Sequence, residues 1–506
     1  MSSNPASAPA TGRQIAHGAA WMMSFKLLDK SIGLISTLVL ARVLTPADFG
    51  LVAMGMAVVA MLELMGAFGF ETALIQRQNT DRRHYDTAWT FNVIFGVVVA
   101  TMLLILATSA AKFYREPRLE LMLPALAVGA LLGGLENIGT VAFRKELDFG
   151  KEFKFLLAKR LAGFAVTISL AIIFRSFWAL IAGTVTGKLI GVFISYRLHP
   201  YRPRFTLAAR SDLLHFSKWI FISNMIQFLH SRSTDFILGR TVGSHGLGVY
   251  NIASQIAAMP STEMIAPLNR AVYPAYARLA ANRDQLWARF LEVFGIISLL
   301  AFPVAVGLYC LSDLVVSLLL GDKWYDAVPI MQIAGLSGLL SALQGNLYLV
   351  IVAMGKPKAN TMLSAALLVV TLPGVIYASL LYGVIGAAYA HFLASLLGFS
   401  GIVMVFSRIT GLFKRKLFAV MWRPLLASSA MAFTLFSATV SIDAIFPMLP
   451  KIIKLVTLIP IGALVYLLFI LGSWFVVGRP NSAEKILLNF LCGKAPWLLK
   501  FGPNHP

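Results

Sequence analysis

Apolar runs long enough to cross a membrane recur along the chain from about residue 17 to residue 478. A membrane-spanning helix needs roughly 20 predominantly apolar residues. Only 13% of the 506 residues are charged, whereas about a quarter are charged in a soluble domain. The sequence therefore excludes an ordinary soluble enzyme, a disordered chain and a coiled coil. It predicts an all-α polytopic membrane protein with about 14 transmembrane helices.

The predicted spans follow from the length and position of these runs. They are 17–42, 48–75, 85–112, 119–143, 152–174, 177–198, 215–239, 246–272, 290–320, 326–354, 358–382, 383–407, 417–441 and 451–478. The Ser-, Pro- and Ala-rich segment 1–16 is predicted to be a disordered cytoplasmic tail, and 199–214 a cytoplasmic linker. Apolar and basic residues alternate in 479–506, which predicts a cytoplasmic tail lying on the bilayer surface.

The distribution of Lys and Arg predicts the orientation of the spans. If the N-terminus is cytoplasmic, 27 of the 43 Lys and Arg residues lie on the cytoplasmic side and 9 on the other. This bias predicts that both termini are cytoplasmic. It also explains most of the formal charge of +21 without nucleic acid, because the basic residues are scattered over many loops and form no stripe.

The chain resembles itself at an offset of 198 residues. Trp21 then aligns with Trp219, Leu40 with Leu238, Arg42 with Arg240 and Gly50 with Gly248. Each unit holds six spans, so the two have the same orientation in the membrane. This predicts an N-lobe at 17–198 and a C-lobe at 215–407, with spans 13 and 14 (408–478) outside the repeat.

The sequence shows no motif of the common catalytic sites. No loop between the predicted spans exceeds about 20 residues, and no P-loop, HExxH or GxSxG motif is present. The eight His are dispersed, and the two Cys lie on opposite sides of the predicted membrane. We therefore expect no catalytic residue, no metal site, no cofactor and no disulfide.

Charged and amide side chains inside the predicted spans are the candidates for function, because a charge at the bilayer centre costs about 2.5–3.5 kcal/mol. Lys26, Asp29 and Lys30 share one face of span 1. Cations outnumber nearby acids, which suits a pyrophosphate or another anion. The candidates for a substrate cavity are Lys26, Lys30, Lys188, Asn224, Gln227, Arg232 and Arg270, and those for ion coupling are Asp29, Glu63 and Asp235.

Several stretches resemble a known family. They are ARVLTPADFG after span 1, ALIQR at the end of span 2, Trp-Thr-Phe-Asn in span 3 and AFRKELDFGKEF after span 4. These stretches are similar to those of polysaccharide-transporter flippases in the multidrug/oligosaccharidyl-lipid/polysaccharide exporter superfamily, especially the colanic acid and exopolysaccharide exporters. The resemblance covers about residues 17–410.

The resemblance implies two six-helix lobes arranged in a V, and movement of an undecaprenyl-pyrophosphate-linked oligosaccharide across the bacterial inner membrane by alternating access. It also implies membrane lipids, a polymerase and export machinery as partners, and cations on the first helix of each lobe. Lys26, Lys30 and Arg232 stand at such positions.

Two alternatives remain open from the sequence. One is a drug or metabolite antiporter of the same superfamily, which the excess of cations within the spans disfavours. The other is a membrane polysaccharide polymerase or ligase, which the short loops disfavour.

Overall fold

The computed structural model describes residues 12–64, 70–77, 80–411, 414–478 and 483–485. Within these ranges the chain forms helices joined by short connections and contains no strand. It divides into two compact units, Met1–Gly248 and Val249–Pro506. The fold is therefore all-α, as predicted.

The first unit contains nine complete helices and the start of a tenth. They are α1 (Gly12–Val43), α2 (Pro46–Glu63), α3 (Phe70–Gln76), α4 (Arg82–Tyr114), α5 (Leu119–Gly134), α6 (Val141–Lys145), α7 (Phe149–Phe174), α8 (Trp178–Leu198), α9 (Arg210–Thr241) and α10 (Gly243–Pro260). A short 3₁₀ turn, Ile138–Thr140, precedes α6. Helix α1 begins five residues before the predicted first span, because hydropathy marks only the apolar part of a helix.

The second unit continues from α10 through a π-helical turn at Ser261–Ile265. Its helices are α11 (Ala266–Leu279), α12 (Arg283–Leu319), α13 (Ala327–Ala353), α14 (Pro357–Thr410), α15 (Lys414–Ile445) and α16 (Lys451–Val476). A 3₁₀ turn, Asp322–Trp324, lies between α12 and α13. The core of this unit includes Phe290, Phe294 and Phe406, which are fully buried and whose rings pack together.

Within the described ranges, each predicted span coincides with a helix, with two or three successive helical pieces or, for spans 11 and 12, with part of α14. In the described part of the chain, however, nine helices are long and apolar enough to cross a membrane. The count rises to ten if α5 and the following pair of short helices, bent by 60°, form one span. The helices matching predicted spans 1, 7 and 8 are not among them, because their polar residues lower the mean hydropathy. The count of fourteen is therefore not confirmed.

Helix α14 covers two predicted spans in one continuous stretch. Its backbone leaves the helical conformation at Gly383, with φ 62° and ψ −144°. Residues with a side chain rarely adopt such positive φ values, whereas glycine does so readily. The break therefore falls where predicted span 11 ends and span 12 begins.

Helices α7 and α8 pack closely because small residues meet at their interface. A Cβ atom at Gly183 would lie 2.7 Å from the carbonyl oxygen of Gly163 and 1.7 Å from Thr167 Oγ1. A Cβ at Gly187 would lie 3.4 Å from the carbonyl oxygen of Lys159. Close backbone approach through glycines is a common way to join membrane helices.

Helix α2 begins with a capping box in the sequence Thr-Pro-Ala-Asp. Thr45 Oγ1 accepts a hydrogen bond from the Asp48 backbone N–H at 3.3 Å, and Asp48 Oδ2 accepts one from the Thr45 N–H at 2.9 Å. Pro46 occupies the first helical turn, where its missing N–H costs nothing. These local interactions fix the start of α2 two residues before the predicted span.

The start of α2 touches the start of α10 with the symmetry of the sequence repeat. A Cβ at Gly50 would lie 1.7 Å from the carbonyl oxygen of Ser244, and a Cβ at Gly248 would lie 1.9 Å from that of Pro46. The 198-residue offset pairs Pro46 with Ser244 and Gly50 with Gly248. The two contacts are thus equivalent, and each requires glycine.

The linker predicted at 199–214 is non-helical over 199–209 and lies along the beginning of α4. Asp86 Oδ1 accepts hydrogen bonds from the Tyr201 hydroxyl at 2.7 Å and from the Arg204 backbone N–H at 2.8 Å. Thr90 Oγ1 accepts from the Thr206 N–H at 3.0 Å, and Thr87 Oγ1 from the Ala209 N–H at 3.2 Å. Burial, together with the hydrogen bond to Asp86, raises the pKa of Tyr201.

The predicted tails lie largely outside the described residues. Within 479–506 the described part is Ala483–Lys485, which is helical. Glu484 is buried there and forms an ion pair with Arg423 of α15, at 2.9 Å between Arg423 Nη1 and Glu484 Oε1. This part of the predicted surface tail is thus fixed against the second unit.

Candidate functional site

The charged face of α1 lies against α7. Arg160 Nε of α7 forms an ion pair with Asp29 Oδ1 at 2.8 Å, and both side chains are about half exposed. Gly33, one turn further along α1, makes room for the guanidinium: a Cβ there would lie 3.1 Å from Arg160 Nη2. Arg160 was not among the residues selected from the sequence, although it lies within a predicted span.

Lys26 and Lys30 are exposed on the same face of α1. Because Arg160 binds the one acid between them in sequence, the combined charge of Lys26, Asp29, Lys30 and Arg160 is +2. This set of four side chains on α1 and α7 is therefore cationic. The role of these residues in binding a substrate stays a prediction.

Helix α9 carries the second set of predicted residues. Arg232 Nη1 lies 3.2 Å from Asp235 Oδ2, one turn away, and the Asp235 side chain is buried. Asn224 is partly buried, and the side chain of Gln227 lies outside the part of the chain that is described. Arg270 belongs to the second unit, where it is exposed on α11.

Glu63 and Lys188 share a cavity of about 270 Å³ in the first unit. Asn92 and Phe95 of α4 also line this cavity, and three glycines form part of its wall. Asn92 and Lys188 each lie ten residues from the end of their helix, Arg82 and Leu198 respectively. At 1.5 Å per residue, each of them lies about 15 Å along the helix axis from that end. The sequence analysis did not select Asn92 and Phe95, although Asn92 ends the Trp-Thr-Phe-Asn stretch.

Glycines set the shape of this cavity. A Cβ at Gly133 would lie 3.3 Å from Lys188 Nζ, so the ammonium group rests against the α5 backbone. A Cβ at Gly134 would lie 2.6 Å from the carbonyl oxygen of Asn92. The backbones of α4 and α5 are therefore in close contact at Asn92.

An ion pair between Lys159 and Glu136 lies beside Gly191, which is one turn along α8 from Lys188. Lys159 Nζ of α7 is 2.6 Å from Glu136 Oε2, and the same ammonium lies 4.8 Å from the ring centroid of Phe155. Gly191 leaves space for this pair, because a Cβ there would lie 2.7 Å from Lys159 Cε. Glu136 therefore pairs with Lys159. Among the described residues, the acid that lines the Lys188 cavity is Glu63.

No group of three or more His, Cys, Asp or Glu side chains in the described part of the chain could hold a metal ion. The polar groups instead combine cations with amides and with acids that are mostly paired to a cation. Such groups bind anionic and hydroxyl-bearing ligands by charge-assisted and neutral hydrogen bonds.

Membrane-length helices, a polar cavity between four helices and a cationic helix face are typical of a polytopic membrane protein of the transporter class. Its fold is similar to that of the lipid II flippase MurJ in an inward closed conformation, with a TM-score of 0.73 and 12% identity. The similarity covers 91% of this chain and 99% of that one.

Residues 39–329 match the family described as "Polysaccharide biosynthesis protein". Because the match spans more than half of the chain, the chain belongs to this family.

Two relatives illustrate what the family contains. The chain is 24% identical to the lipopolysaccharide biosynthesis protein WzxC of Escherichia coli strain K12, over 80% of this chain and 84% of the relative. It is 23% identical to the succinoglycan biosynthesis transport protein ExoT of Rhizobium meliloti strain 1021, over 65% and 67%. The resemblance found in the sequence is thus confirmed at family level.

Proposed function

We propose that this protein is a flippase that moves lipid-linked oligosaccharide units of an exopolysaccharide or O-antigen across the bacterial inner membrane. The carrier we propose is undecaprenyl pyrophosphate. The observation that carries the proposal is the cationic face of α1, where Lys26 and Lys30 are exposed and Arg160 forms an ion pair with Asp29. A pyrophosphate presents several oxygen acceptors to such a surface.

The comparisons support the transported class of molecule. One relative is named for lipopolysaccharide biosynthesis and another for transport in succinoglycan biosynthesis. The solved protein of similar fold is named as a flippase of lipid II. We propose that the present chain handles a substrate of the same kind, a glycan on a lipid carrier.

The proposed mechanism is alternating access, in which the two repeat units rock around a central site. The contact between Gly50 and Gly248 lies at the end of α2 and α10 that the charge bias places outside. This contact must open when the substrate leaves towards that side. Asp29 and Asp235 are the acids that we propose for any ion coupling, because each lies beside cations at repeat-equivalent helices.

The competing functions make different predictions. A drug antiporter of the same superfamily would bind organic cations, which a cationic face of α1 repels. A polymerase or ligase would need a catalytic surface, whereas the longest non-helical stretch within the described ranges is the linker at 199–209. We therefore propose no enzymatic activity.

Deletion of the gene tests the proposal. We expect the lipid-linked repeat unit to accumulate on the cytoplasmic leaflet and the surface polysaccharide to be lost. Mass spectrometry of extracted lipids would identify the glycan. Normal polysaccharide together with increased drug sensitivity would favour the antiporter instead.

A further inference from the structure

The cavity between α2, α4, α5 and α8 combines four kinds of side chain. Glu63 supplies a carboxylate, Asn92 an amide, Lys188 an ammonium group and Phe95 an aromatic ring. Asn92 and Phe95 are three residues apart on α4, so they point to the same side of the helix. A concave site with a few convergent polar groups is typical of a ligand site.

The polar groups of this cavity favour a neutral ligand with many hydroxyl groups. A carboxylate accepts hydrogen bonds, an ammonium donates them, and an amide does both. Because one acid and one base line the cavity, their charges offset each other for a bound anion or cation. A hydroxyl group both donates and accepts, so it can bind to each of the three side chains.

The aromatic ring and the size of the cavity limit further which kind of ligand can bind. Phe95 stacks with Phe70 and Phe91, with ring centroids 6.4 Å and 6.2 Å away, and also lines the cavity. Its ring offers an apolar surface to the C–H face of a sugar ring. An apolar protein cavity of about 150 Å³ holds one benzene molecule, so about 270 Å³ accommodates a six-membered ring with its hydroxyl groups.

We infer that the cavity of Glu63, Asn92, Phe95 and Lys188 binds one sugar residue of the transported glycan. This inference rests on the proposed function and names the part of the substrate that the cavity recognises. It assigns Glu63 to hydrogen bonding with sugar hydroxyls instead of to ion coupling. The cavity then contributes to the choice of glycan, whereas the cationic face of α1 recognises the pyrophosphate.

Saturation-transfer NMR on the purified full-length protein tests the inference. The probe is the oligosaccharide released by mild acid from the lipid that accumulates in the deletion strain. We expect saturation transfer from the protein to the protons of one sugar. The variants Asn92→Leu and Phe95→Leu should weaken binding of this oligosaccharide about two- to tenfold, the effect of losing one or two ordinary contacts.

Matched variants separate a sugar site from a structural effect and from a cation site. Phe91→Leu removes a ring from the same stack but not from the cavity wall, so it should leave binding unchanged. Glu63→Gln keeps hydrogen-bonding atoms and should bind within about twofold of the unchanged protein, whereas Glu63→Ala should lose the contact. A cation site would lose function equally in both Glu63 variants.

Two results would overturn the inference: no saturation transfer with the unchanged protein, or equal transfer in Asn92→Leu, Phe95→Leu and the control. Transport of the intact lipid-linked unit is measured separately in proteoliposomes. If the protein transports that unit while the NMR result is negative, the sugar site is wrong and the proposed function stands. If the protein does not transport it, the proposed function itself fails.

Discussion

At the scale of single residues, several of the charges within the described helices form ion pairs. Arg160 binds Asp29, Lys159 binds Glu136, and Arg232 lies beside Asp235. Pairing reduces the cost of placing an ionised side chain away from water. Lys26 and Lys30 on the exposed face of α1 are the cations that we propose to contact the pyrophosphate.

We predict that Lys26→Ala and Lys30→Ala each lower export at least about tenfold, since each removes a charge-assisted hydrogen bond to the pyrophosphate. The protein should remain at its normal abundance in the membrane. Complementation of a deletion strain, with immunoblotting of membranes, measures both quantities. Lys112→Ala, which removes an exposed lysine from the last turn of α4, is the matched control. Full complementation by both α1 variants would refute the proposed role.

We predict that Arg160→Ala destabilises the packing of α1 on α7. Because both partners are about half exposed, the pair contributes up to about 1 kcal/mol. Thermal unfolding of the purified protein should shift to lower temperature. The double variant Asp29→Arg with Arg160→Asp should recover most of the lost thermal stability. It restores an ion pair between the two helices, with the acid on α7 and the base on α1. If the double variant is as unstable as the single one, the pair does not hold these helices together.

At the scale of helices, the apolar runs predicted where most of the helices lie, although the helices of predicted spans 1, 7 and 8 do not pass the length-and-hydropathy test for a membrane span. The predicted boundary between spans 11 and 12 coincides with the break at Gly383 in α14. The same reasoning could not find the partner of Asp29 or the cavity of Glu63. Those depend on which helices become neighbours, and hydropathy contains no information on that.

The linker at 199–209 was predicted only as a connection, yet it is fixed by side chains of α4. Asp86 and Thr87 lie four and three residues before Thr90, spacings that place both beside Thr90 on the surface of the helix. Their acceptors replace the regular backbone partners that an extended segment lacks. Nothing in the polarity of the linker itself signals this arrangement.

We predict that Asp86→Ala releases the linker from α4. Asp86 accepts from both the Tyr201 hydroxyl and the Arg204 N–H, so its loss leaves two donors without their partner. Limited trypsin digestion should then cleave after Arg204 several times faster, because proteases need an extended and detached segment. The control is Glu120→Ala. Glu120 is an exposed acid in the first turn of α5, beyond the end of α4 that is opposite the linker. Equal cleavage rates in the two variants would show that Asp86 does not hold the linker.

At the scale of the whole molecule, the internal repeat has a physical counterpart. The glycines that the 198-residue offset aligns, Gly50 and Gly248, make equivalent contacts with each other's helix. A repeat detected from a few rare residues thus marks a symmetric contact. Alternating access requires that such a contact opens and closes.

We predict that the distance between the start of α2 and the start of α10 has two values, one for each state of the transporter. Ala47 and His245 are repeat-equivalent positions beside the glycine contact, and spin labels at Ala47→Cys and His245→Cys would report their separation. Pulsed electron resonance should give a short and a long population, and the lipid-linked unit should change their ratio. Labels at Ala47 and Met61, both on α2 and about 21 Å apart along the helix, should give one unchanged distance. A single distance at the first pair, insensitive to substrate, would contradict alternating access.

The most direct test of the central claim is transport by the purified protein in proteoliposomes. Lipid-linked oligosaccharide from the deletion strain would be placed in both leaflets, and a glycan-cleaving enzyme added outside would report how much becomes accessible. The account predicts that the unchanged protein makes nearly all of the substrate accessible, while Lys26→Ala with Lys30→Ala leaves about half protected, as in empty vesicles. Half protection with the unchanged protein would contradict the claim that this chain is a flippase.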